Sequence, residues 1–373
     1  MKKKTKVLLF TAGIIGMAVS VLMGIKYNYN NDYIKSSDSN VIIELGEEER
    51  GPESFAFDAA GKGPYATISD GRVIKWEHNQ TTWLHFASSS THTHRRERCE
   101  GRDIKDGYER EVIYGRPLGL CFNKSNNHLY IADAYFGLLL VGPNGGPPTT
   151  IAKDAEGMPF MFTNGLDIDH SNDVVFFTDS SSRYQRRNYI YVILSGDKSG
   201  RLMKYDPKTK KVTILLRNLS FPNGVALSED GSFILVAETS NCRILKYWIE
   251  TSKVEVFAEL PGFPDNIKTS PRGGYWVGVN SKRDKFAECV LSYPWIGNAL
   301  IKLVPFDLMR VYSIVSMYRG SGMGIRLDEN GKILEVFEDR NRFKSISEIM
   351  EKDGHLWIGS INFPFAGRYQ VTT

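Results

Sequence analysis

Hydrophobic residues in this chain occur in short runs that alternate with polar positions and end at turn dipeptides. In 221–248, the apolar positions Val225 and Leu227 alternate with small or polar residues, a Glu-Asp-Gly turn follows, and a second apolar run covers 233–237. Short runs without a helical period, separated by Asp-Gly, predict a β-hairpin. A further strand is predicted over 243–248.

This hairpin unit recurs, and a recurring unit decides the architecture before any single motif does. Six copies are present, and they begin near Glu53, Leu118, Asn164, Asn223, Asp265 and Ile346. The first five are each followed by a more polar strand segment or strand pair, and 41–45 is expected to complete the last sheet from the N-terminal side. Six four-stranded sheets around one axis form a β-propeller, so we predict an all-β, six-bladed β-propeller over 41–373.

The fifth unit carries an insertion, 286–318. Apolar residues at helical spacing on both sides of Pro305 predict two short helices there. The first interpretation is a cap packed over the propeller face, and the alternative is a substrate lid or a membrane-touching surface. We expect the insertion and the loop 180–199 to shape a pocket at the channel mouth.

The N-terminus differs from the rest of the chain. Four lysines precede an apolar run of nineteen residues, 7–25. At about 1.5 Å per residue a helix of this length reaches roughly 28 Å, close to the thickness of a bilayer core. Residues 1–25 are therefore predicted to be an uncleaved signal anchor or a cleaved signal peptide, and the polar segment 26–40 a stalk. The lysines favour a cytosolic N-terminus, which would place the propeller in the secretory lumen, type II membrane-anchored if the anchor is retained.

Charge and glycosylation motifs agree with this location. The formal net charge is +4, and the four N-terminal lysines account for it. The remainder is formally neutral, so nucleic acid is not an expected partner. Three Asn-x-Ser/Thr sequons predict glycosylation at Asn79, Asn123 and Asn218, and the alternative is that such triplets occur by chance in a chain of this length.

Cysteine and histidine usage points away from disulfide and zinc chemistry. The four cysteines are scattered, and no Cys-x-x-Cys occurs. Cys121 and Cys242 lie in or beside strand runs, where a buried free thiol is expected. His92 and His94 are interpreted as residues of a solvated loop.

The candidate chemistry lies in the register of the repeat. Aligning the hairpins on their turns places one residue of each copy at the start of an innermost strand: Glu53, Leu118, Asn164, Asn223, Asp265, and Ile346 or Ser347. Innermost strands line the central channel, so these starts meet at one mouth. Oxygen donors from Glu53, Asn164, Asn223 and Asp265 are the ligands that Ca²⁺ prefers. The alternative is that Asn-Gly and Asp-Asn are ordinary turn dipeptides.

Several motifs resemble a known family. They are Gly51-Pro-Glu-Ser-Phe-Ala-Phe-Asp58, Ser69-Asp-Gly-Arg-Val-Ile-Lys-Trp76, Gly115-Arg-Pro-Leu-Gly-Leu120, Arg183-Tyr-Gln-Arg-Arg187, Gly200-Arg-Leu-Met-Lys-Tyr-Asp-Pro207 and Phe221-Pro-Asn-Gly224. The chain resembles the strictosidine synthase-like proteins of plants, relatives of animal adipocyte plasma membrane-associated protein, over 46–371. The resemblance implies a six-bladed propeller of the secretory pathway, in the vacuole or endomembrane system, akin to calcium-dependent paraoxonases, gluconolactonases and phosphotriesterase-like propellers.

The chain also departs from that family's enzymes. The resemblance places Ser347 where strictosidine synthase has its catalytic glutamate, and the adjacent Glu348 is expected to point away along the strand. Asn223 is kept where that synthase lacks a ligand residue, and Leu118 stands where paraoxonases have a histidine. The family's loop disulfide is incomplete, because Tyr114 stands where the partner of Cys99 would be.

Three functions follow as hypotheses. The leading one is a metal-dependent hydrolase of small apolar esters or lactones, with Asp265 as base or nucleophile and Ca²⁺ polarising the carbonyl. The second is a non-catalytic luminal or membrane-tethered propeller with a structural metal. The third, strictosidine formation, is disfavoured by Ser347.

Overall fold

Six four-stranded antiparallel sheets and one two-stranded hairpin make up the β structure of the described residues. The computed structural model describes residues 41–46, 49–90, 107–304, 307–309 and 320–371. The predicted signal segment 1–25 and stalk 26–40 lie outside them. Among the residues that are described, no helix is both long and apolar enough to cross a membrane.

The strands follow one another blade by blade. The chain enters with β1 (Val41–Glu44). Blade one contains β2 (Phe55–Ala56), β3 (Tyr65–Thr67), β4 (Arg72–Glu77) and β5 (Thr82–Ser88). Blade two contains β6 (Pro117–Phe122), β7 (Leu129–Asp133), β8 (Gly137–Val141) and β9 (Thr149–Ala152). The small hairpin is β10 (Asp154–Ala155) and β11 (Met158–Pro159).

The second half repeats this plan. Blade three contains β12 (Thr163–Asp169), β13 (Val174–Asp179), β14 (Gly200–Asp206) and β15 (Lys211–Leu219). Blade four contains β16 (Pro222–Leu227), β17 (Phe233–Glu238), β18 (Arg243–Trp248) and β19 (Val254–Glu259). Blade five contains β20 (Gly262–Thr269), β21 (Tyr275–Lys282), β22 (Met323–Leu327) and β23 (Ile333–Phe337). Blade six contains β24 (Glu348–Lys352), β25 (His355–Gly359) and β26 (Phe365–Gln370).

Strand β1 closes the ring, as the sequence predicted. It pairs antiparallel with β26, with Val41 opposite Arg368 and Glu44 opposite Phe365. The first and last strands therefore share one sheet, which leaves no long unpaired edge between them. The six-bladed prediction is confirmed.

The core lies between neighbouring blades. Phe55 and Ile74 of blade one pack with Trp357 of blade six, and Leu202 of blade three packs with Val236 of blade four. Burying one such apolar side chain stabilises the fold by roughly 1.5–3 kcal/mol. Because packed blades hold each inner strand from both sides, the residues at the strand starts have fixed positions.

Four α-helices accompany the blades in the described residues. They are α1 (Gly107–Tyr114), α2 (Tyr189–Ser195), α3 (Lys285–Ser292) and α4 (Pro294–Leu303). The insertion is helical, but the part before Pro305 forms two helices where the sequence analysis expected one. Pro294 is the first residue of α4, and a proline is tolerated there because that position needs no N–H donor. Within the insertion 286–318, only 307–309 are described after Pro305.

The insertion packs on α2. Ile296 and Leu300 of α4 join Ile190 and Leu194 of α2 in one apolar cluster, as the cap interpretation expects. Gly297 lets the two helices approach closely, because a Cβ at this position would overlap the Leu194 carbonyl oxygen.

Candidate functional site

The starts of the inner strands surround a cavity of about 60 Å³ on the propeller axis. The structure places all four predicted ligands, Glu53, Asn164, Asn223 and Asp265, on its wall. The remaining wall is mainly apolar, with Arg186, Thr239 and Asn280 as further polar groups; the apolar residues are Leu118, Phe162, Tyr189, Ile193, Phe221, Phe263, Pro264 and Ile361. Of the two segments expected to shape a pocket, 180–199 supplies lining residues. The described part of the insertion contributes none, but it packs on α2, which does line the cavity.

Hydroxyl groups on the second strand of one blade, or directly after it, fix the inner strand of the next. Thr178 Oγ1 donates to the Asn223 carbonyl oxygen at 2.6 Å. Thr239 Oγ1 donates in the same way to the Pro264 carbonyl oxygen at 2.7 Å, next to Asp265. The approach is close, because a Cβ on Gly165 would lie 2.5 Å from the Asn223 carbonyl oxygen. These contacts hold the backbone of the site residues in place.

Ser347 of blade six joins blades five and one. Its Oγ donates to the Glu53 carbonyl oxygen at 2.8 Å, and its own carbonyl oxygen accepts from the Asn266 N–H at 2.9 Å. Glu348 accepts from Phe55 N at 2.7 Å and from Ser54 Oγ at 2.8 Å. Neither Ser347 nor Glu348 lines the cavity. Ser347 and Glu348 are therefore part of the frame behind the site.

The donor atoms in the cavity fit a hard cation. Asn164 donates from Nδ2 to Ser180 Oγ at 3.0 Å, and Asn223 donates from Nδ2 to Asp265 Oδ1 at 2.6 Å. The amide oxygens of Asn164 and Asn223 are buried and have no hydrogen-bond partner among the described residues. Two unpaired acceptors beside two carboxylates suit Ca²⁺, which takes oxygen ligands. Within the described ranges, no three His, Cys, Asp or Glu side chains cluster for metal binding, so the amides are essential to this candidate site.

Burial raises the proton affinity of both carboxylates. The pKa of Glu53 rises to about 7 because the group is buried, although the guanidinium of Arg116 opposes the rise. The pKa of Asp265 lies well above its usual value because of burial and the charge of Glu53, while hydrogen bonds from Asn223 and Asn280 oppose the rise. Two buried carboxylates that repel each other would be stabilised by a bound cation.

Sequence reasoning missed a buried network behind Glu53. Arg116 lies 3.2 Å from Glu53 Oε2 and supplies part of the positive charge that this carboxylate needs. Arg186 pairs with Glu111 at 2.6 Å, and Tyr135 donates to the same carboxylate at 2.9 Å. The reach of a long arginine side chain depends on packing, so no sequence signal placed these groups.

Asn280 was also missed, although the repeat offered a signal. It follows Val279 near the end of the second strand of blade five, where blades three and four have Ser180 and Thr239. All three positions carry a polar side chain beside the axis. Comparing this second slot across the repeats would have found Asn280.

The three sequons differ in accessibility. Asn79 and Asn218 are exposed. Asn123 is fully buried, donates to Asp173 Oδ1 at 2.8 Å and accepts from Ser125 N at 2.8 Å. The folded structure contradicts glycosylation at Asn123, because its amide is committed to this turn. Cys121 and Cys242 are free thiols in the structure; Cys242 is buried, as expected, whereas Cys121 is only partly buried.

Comparison with known proteins settles the family. The strictosidine synthase family model matches residues 164–252, and the strictosidine synthase-like N-terminal model matches residues 39–76. Protein STRICTOSIDINE SYNTHASE-LIKE 2 from Arabidopsis thaliana is 54% identical over 333 residues, covering 86% of this chain and 87% of the relative. The chain belongs to the strictosidine synthase-like family. Protein STRICTOSIDINE SYNTHASE-LIKE 10 from the same plant is 48% identical over 326 residues, covering 86% and 85%.

Solved structures share the fold of this strictosidine synthase-like protein. A gluconolactonase from Xanthomonas campestris superposes with a TM-score of 0.59 at 12% identity, covering 94% of this chain and 98% of that one. The calcium-binding protein regucalcin from Agrobacterium tumefaciens gives a TM-score of 0.56 at 14% identity, covering 88% and 93%. At these identities the likeness establishes the six-bladed fold. The family membership confirms the resemblance inferred from the sequence motifs.

Proposed function

We propose that this strictosidine synthase-like propeller is a calcium-dependent hydrolase of small apolar esters or lactones. The observation that carries the proposal is the pair of buried, unpaired amide oxygens of Asn164 and Asn223 on one cavity with the carboxylates of Glu53 and Asp265. The mainly apolar wall suits an apolar substrate. Two propellers of the same fold are described as a gluconolactonase and a calcium-binding protein, so lactones and Ca²⁺ are the first candidates to test.

Glu53, Asn164, Asn223 and Asp265 would hold the ion. When bound, Ca²⁺ supplies a Lewis acid that polarises the substrate carbonyl and stabilises the oxyanion. Glu53 and Asn164 would act as ligands only, because Arg116 already pairs with Glu53 and Ser180 orients Asn164.

Asp265 is the residue we assign to base or nucleophile chemistry. It is a carboxylate, so it can take a proton, and hydrogen bonds from Asn223 and Asn280 orient it. As a base, Asp265 removes a proton from water, the water oxygen bonds to the carbonyl carbon, and the leaving oxygen departs with that proton. As a nucleophile, its carboxylate oxygen bonds to the carbonyl carbon and the ester C–O bond breaks, so that a mixed anhydride forms and the alcohol leaves with a proton from water. The hydroxide left from that water then cleaves the anhydride, which releases the acid and regenerates the Asp265 carboxylate.

The experiment is a turnover assay of the full chain on a panel of aryl esters and lactones. Turnover is expected with Ca²⁺, lost in chelator and recovered when Ca²⁺ is returned. Calcium binding without turnover on any panel member would favour the non-catalytic propeller with a structural metal. Absence of both calcium binding and turnover would contradict the proposal entirely.

We also propose a luminal location in the vacuole or endomembrane system, with membrane attachment through 1–25. The exposed sequons Asn79 and Asn218 make this testable. Endoglycosidase treatment of the protein from plant microsomes should shift its mobility, and Asn79→Gln with Asn218→Gln together should abolish the shift. A chain that is never glycosylated and never sediments with membranes would contradict this location and attachment.

A further inference from the structure

The central channel holds a second polar cluster, centred on Lys268. This residue lies three positions after Asp265 on β20, the inner strand of blade five. Its Nζ lies 3.5 Å from Glu348 Oε2 of blade six. It also donates to the Leu120 carbonyl oxygen of blade two at 3.5 Å. Blades two and five face each other across a six-bladed ring, so the lysine side chain spans the channel.

The surroundings of Lys268 are those of a cation site. Glu348 is fully buried, and its two oxygens also accept from Phe55 N and Ser54 Oγ. The carboxylate of Asp167 in blade three adds negative charge close enough to favour the ammonium form, so charge and oxygen atoms from several blades converge here. Carboxylate and carbonyl oxygens are ligands that a hard divalent cation takes. A buried carboxylate without a cation is costly, and at Glu348 the Lys268 ammonium supplies the positive charge.

We propose that the Lys268 ammonium is a built-in cation that fills an inner cation position of the channel and keeps divalent ions out of it. If the ammonium is removed and its space is left empty, a divalent cation can bind there. Its ligands would be Glu348, the Leu120 carbonyl oxygen and water, with Asp167 nearby. Under the proposed function, exchangeable Ca²⁺ is then confined to the cavity that holds Asp265. This inference concerns Lys268 alone and does not depend on hydrolase activity.

Two substitutions separate charge from volume. Lys268→Ala removes the ammonium and leaves room for an ion with its waters, whereas Lys268→Met removes the charge and fills the same space. Equilibrium dialysis of the full chain against radioactive Ca²⁺ counts the ions bound. Lys268→Ala should bind one more Ca²⁺ per chain than the wild type, and Lys268→Met should bind the same number as the wild type.

Further variants test the ligand and the specificity of the effect. Adding Glu348→Gln to Lys268→Ala should remove the extra ion. Lys282→Met is the matched control, because Lys282 forms a 2.6 Å ion pair with Glu338 at a different position of blade five. It should bind as the wild type does. If Lys268→Ala binds no more Ca²⁺ than the wild type, the proposal is wrong.

A second measurement covers the case that Lys268→Ala does not fold. If Lys268 neutralises Glu348, then Glu348→Gln should weaken folding more in the wild type than in Lys268→Met. Chemical denaturation gives the factor by which Glu348→Gln changes the unfolding constant in each background. We expect this factor to be about tenfold larger in the wild type than in Lys268→Met. Equal changes would overturn the proposal. A wild type that binds no Ca²⁺ would refute the proposed function. The Lys268 test would still stand, because the dialysis measures the difference between each variant and the wild type.

Discussion

The side-chain amide of Asn223 in blade four donates a 2.6 Å hydrogen bond to Asp265 in blade five. The bond crosses the boundary between two blades and orients a carboxylate whose burial raises its pKa. It also fixes the direction of the Asn223 amide, whose oxygen is left buried without a partner. One residue therefore serves both the orientation of the candidate base and the candidate metal position.

The first prediction separates these two roles by mutation. Asp265→Asn should lower turnover by about 10²- to 10⁴-fold at saturating Ca²⁺, because an amide cannot take the proton. Asn223→Ala should mainly weaken calcium affinity, and excess Ca²⁺ should partly restore its turnover. Turnover of the ester and lactone panel across calcium concentrations measures both effects. Wild-type turnover by Asp265→Asn at saturating calcium would remove Asp265 from the mechanism.

The second prediction concerns metal removal. Chelator should lower the melting temperature of the wild type, because without a cation the carboxylates of Glu53 and Asp265 repel each other in a buried site. Differential scanning calorimetry with and without chelator measures the shift. The double variant Asn164→Ala/Asn223→Ala is the control and should respond weakly. An unchanged melting temperature, with no metal bound to the wild type, would argue against the site.

The propeller and the axial residues could be predicted because both depend on the repeat. Alternating apolar positions fix which strand face is buried, and the repeat register brings Glu53, Asn164, Asn223 and Asp265 to one mouth. A residue at the start of an inner strand reaches the axis through its backbone position alone. No long-range information is needed for that step.

The rest depends on how far side chains reach. Arg116 and Lys268 place their charged ends several ångströms from their own strands, and only the packed neighbours decide where those ends lie. Asn123 shows the converse limit, because a sequon is a local pattern whereas its burial by Asp173 comes from a turn about fifty residues away. Residues that act through contacts between blades were therefore missed or misjudged.

The third prediction concerns Ser347. Ser347→Glu should not create condensation of tryptamine with secologanin, because Ser347 is fully buried and its side chain bonds to the Glu53 backbone away from the cavity. A third buried carboxylate close to Glu53 and Glu348 should also lower the melting temperature. Product analysis and calorimetry test both parts, with Ser347→Ala as the milder control. Condensation at a rate comparable with a true synthase would show that the axial site already suits this reaction.

The fourth prediction concerns the pH dependence of stability through Asp133. Burial raises the pKa of Asp133 to about 6 from 3.8. Blades three and four also have a carboxylate at the end of the second strand, and each pairs with the arginine opposite it on the third strand: Asp179 with Arg201 and Glu238 with Arg243. In blade two the residue opposite Asp133 is Gly137, so this carboxylate has no such arginine. Because its pKa is raised, the Asp133 carboxyl group binds its proton more tightly in the folded state than in the unfolded chain. Stability falls as pH rises from about 4 to 6, and the full cost, at most about 3 kcal/mol, is present above pH 6.

Asp133→Asn should remove this cost, since its amide oxygen can still accept from Tyr135 N and Phe136 N. The variant should be more stable than the wild type at pH 8, and its advantage should shrink towards pH 4. Urea unfolding at several pH values measures the difference. Asp179→Asn is the matched control and should lose stability, because it leaves Arg201 buried without its carboxylate. A pH-independent difference for Asp133→Asn would contradict the assignment.

The last prediction tests whether the insertion supports the cavity through α2. In an open helix position, replacing glycine by alanine stabilises by roughly 0.5–1 kcal/mol. Gly297→Ala should instead destabilise by about 1–3 kcal/mol, because the new methyl group overlaps the Leu194 carbonyl oxygen and pushes α4 away from α2. Since Tyr189 and Ile193 of α2 line the cavity, KM for panel substrates should rise while calcium affinity stays unchanged. Gly142→Ala is the control, because no atom lies within 4 Å of a Cβ there. Equal stability and equal KM for Gly297→Ala and the wild type would show that the insertion does not hold α2 in place.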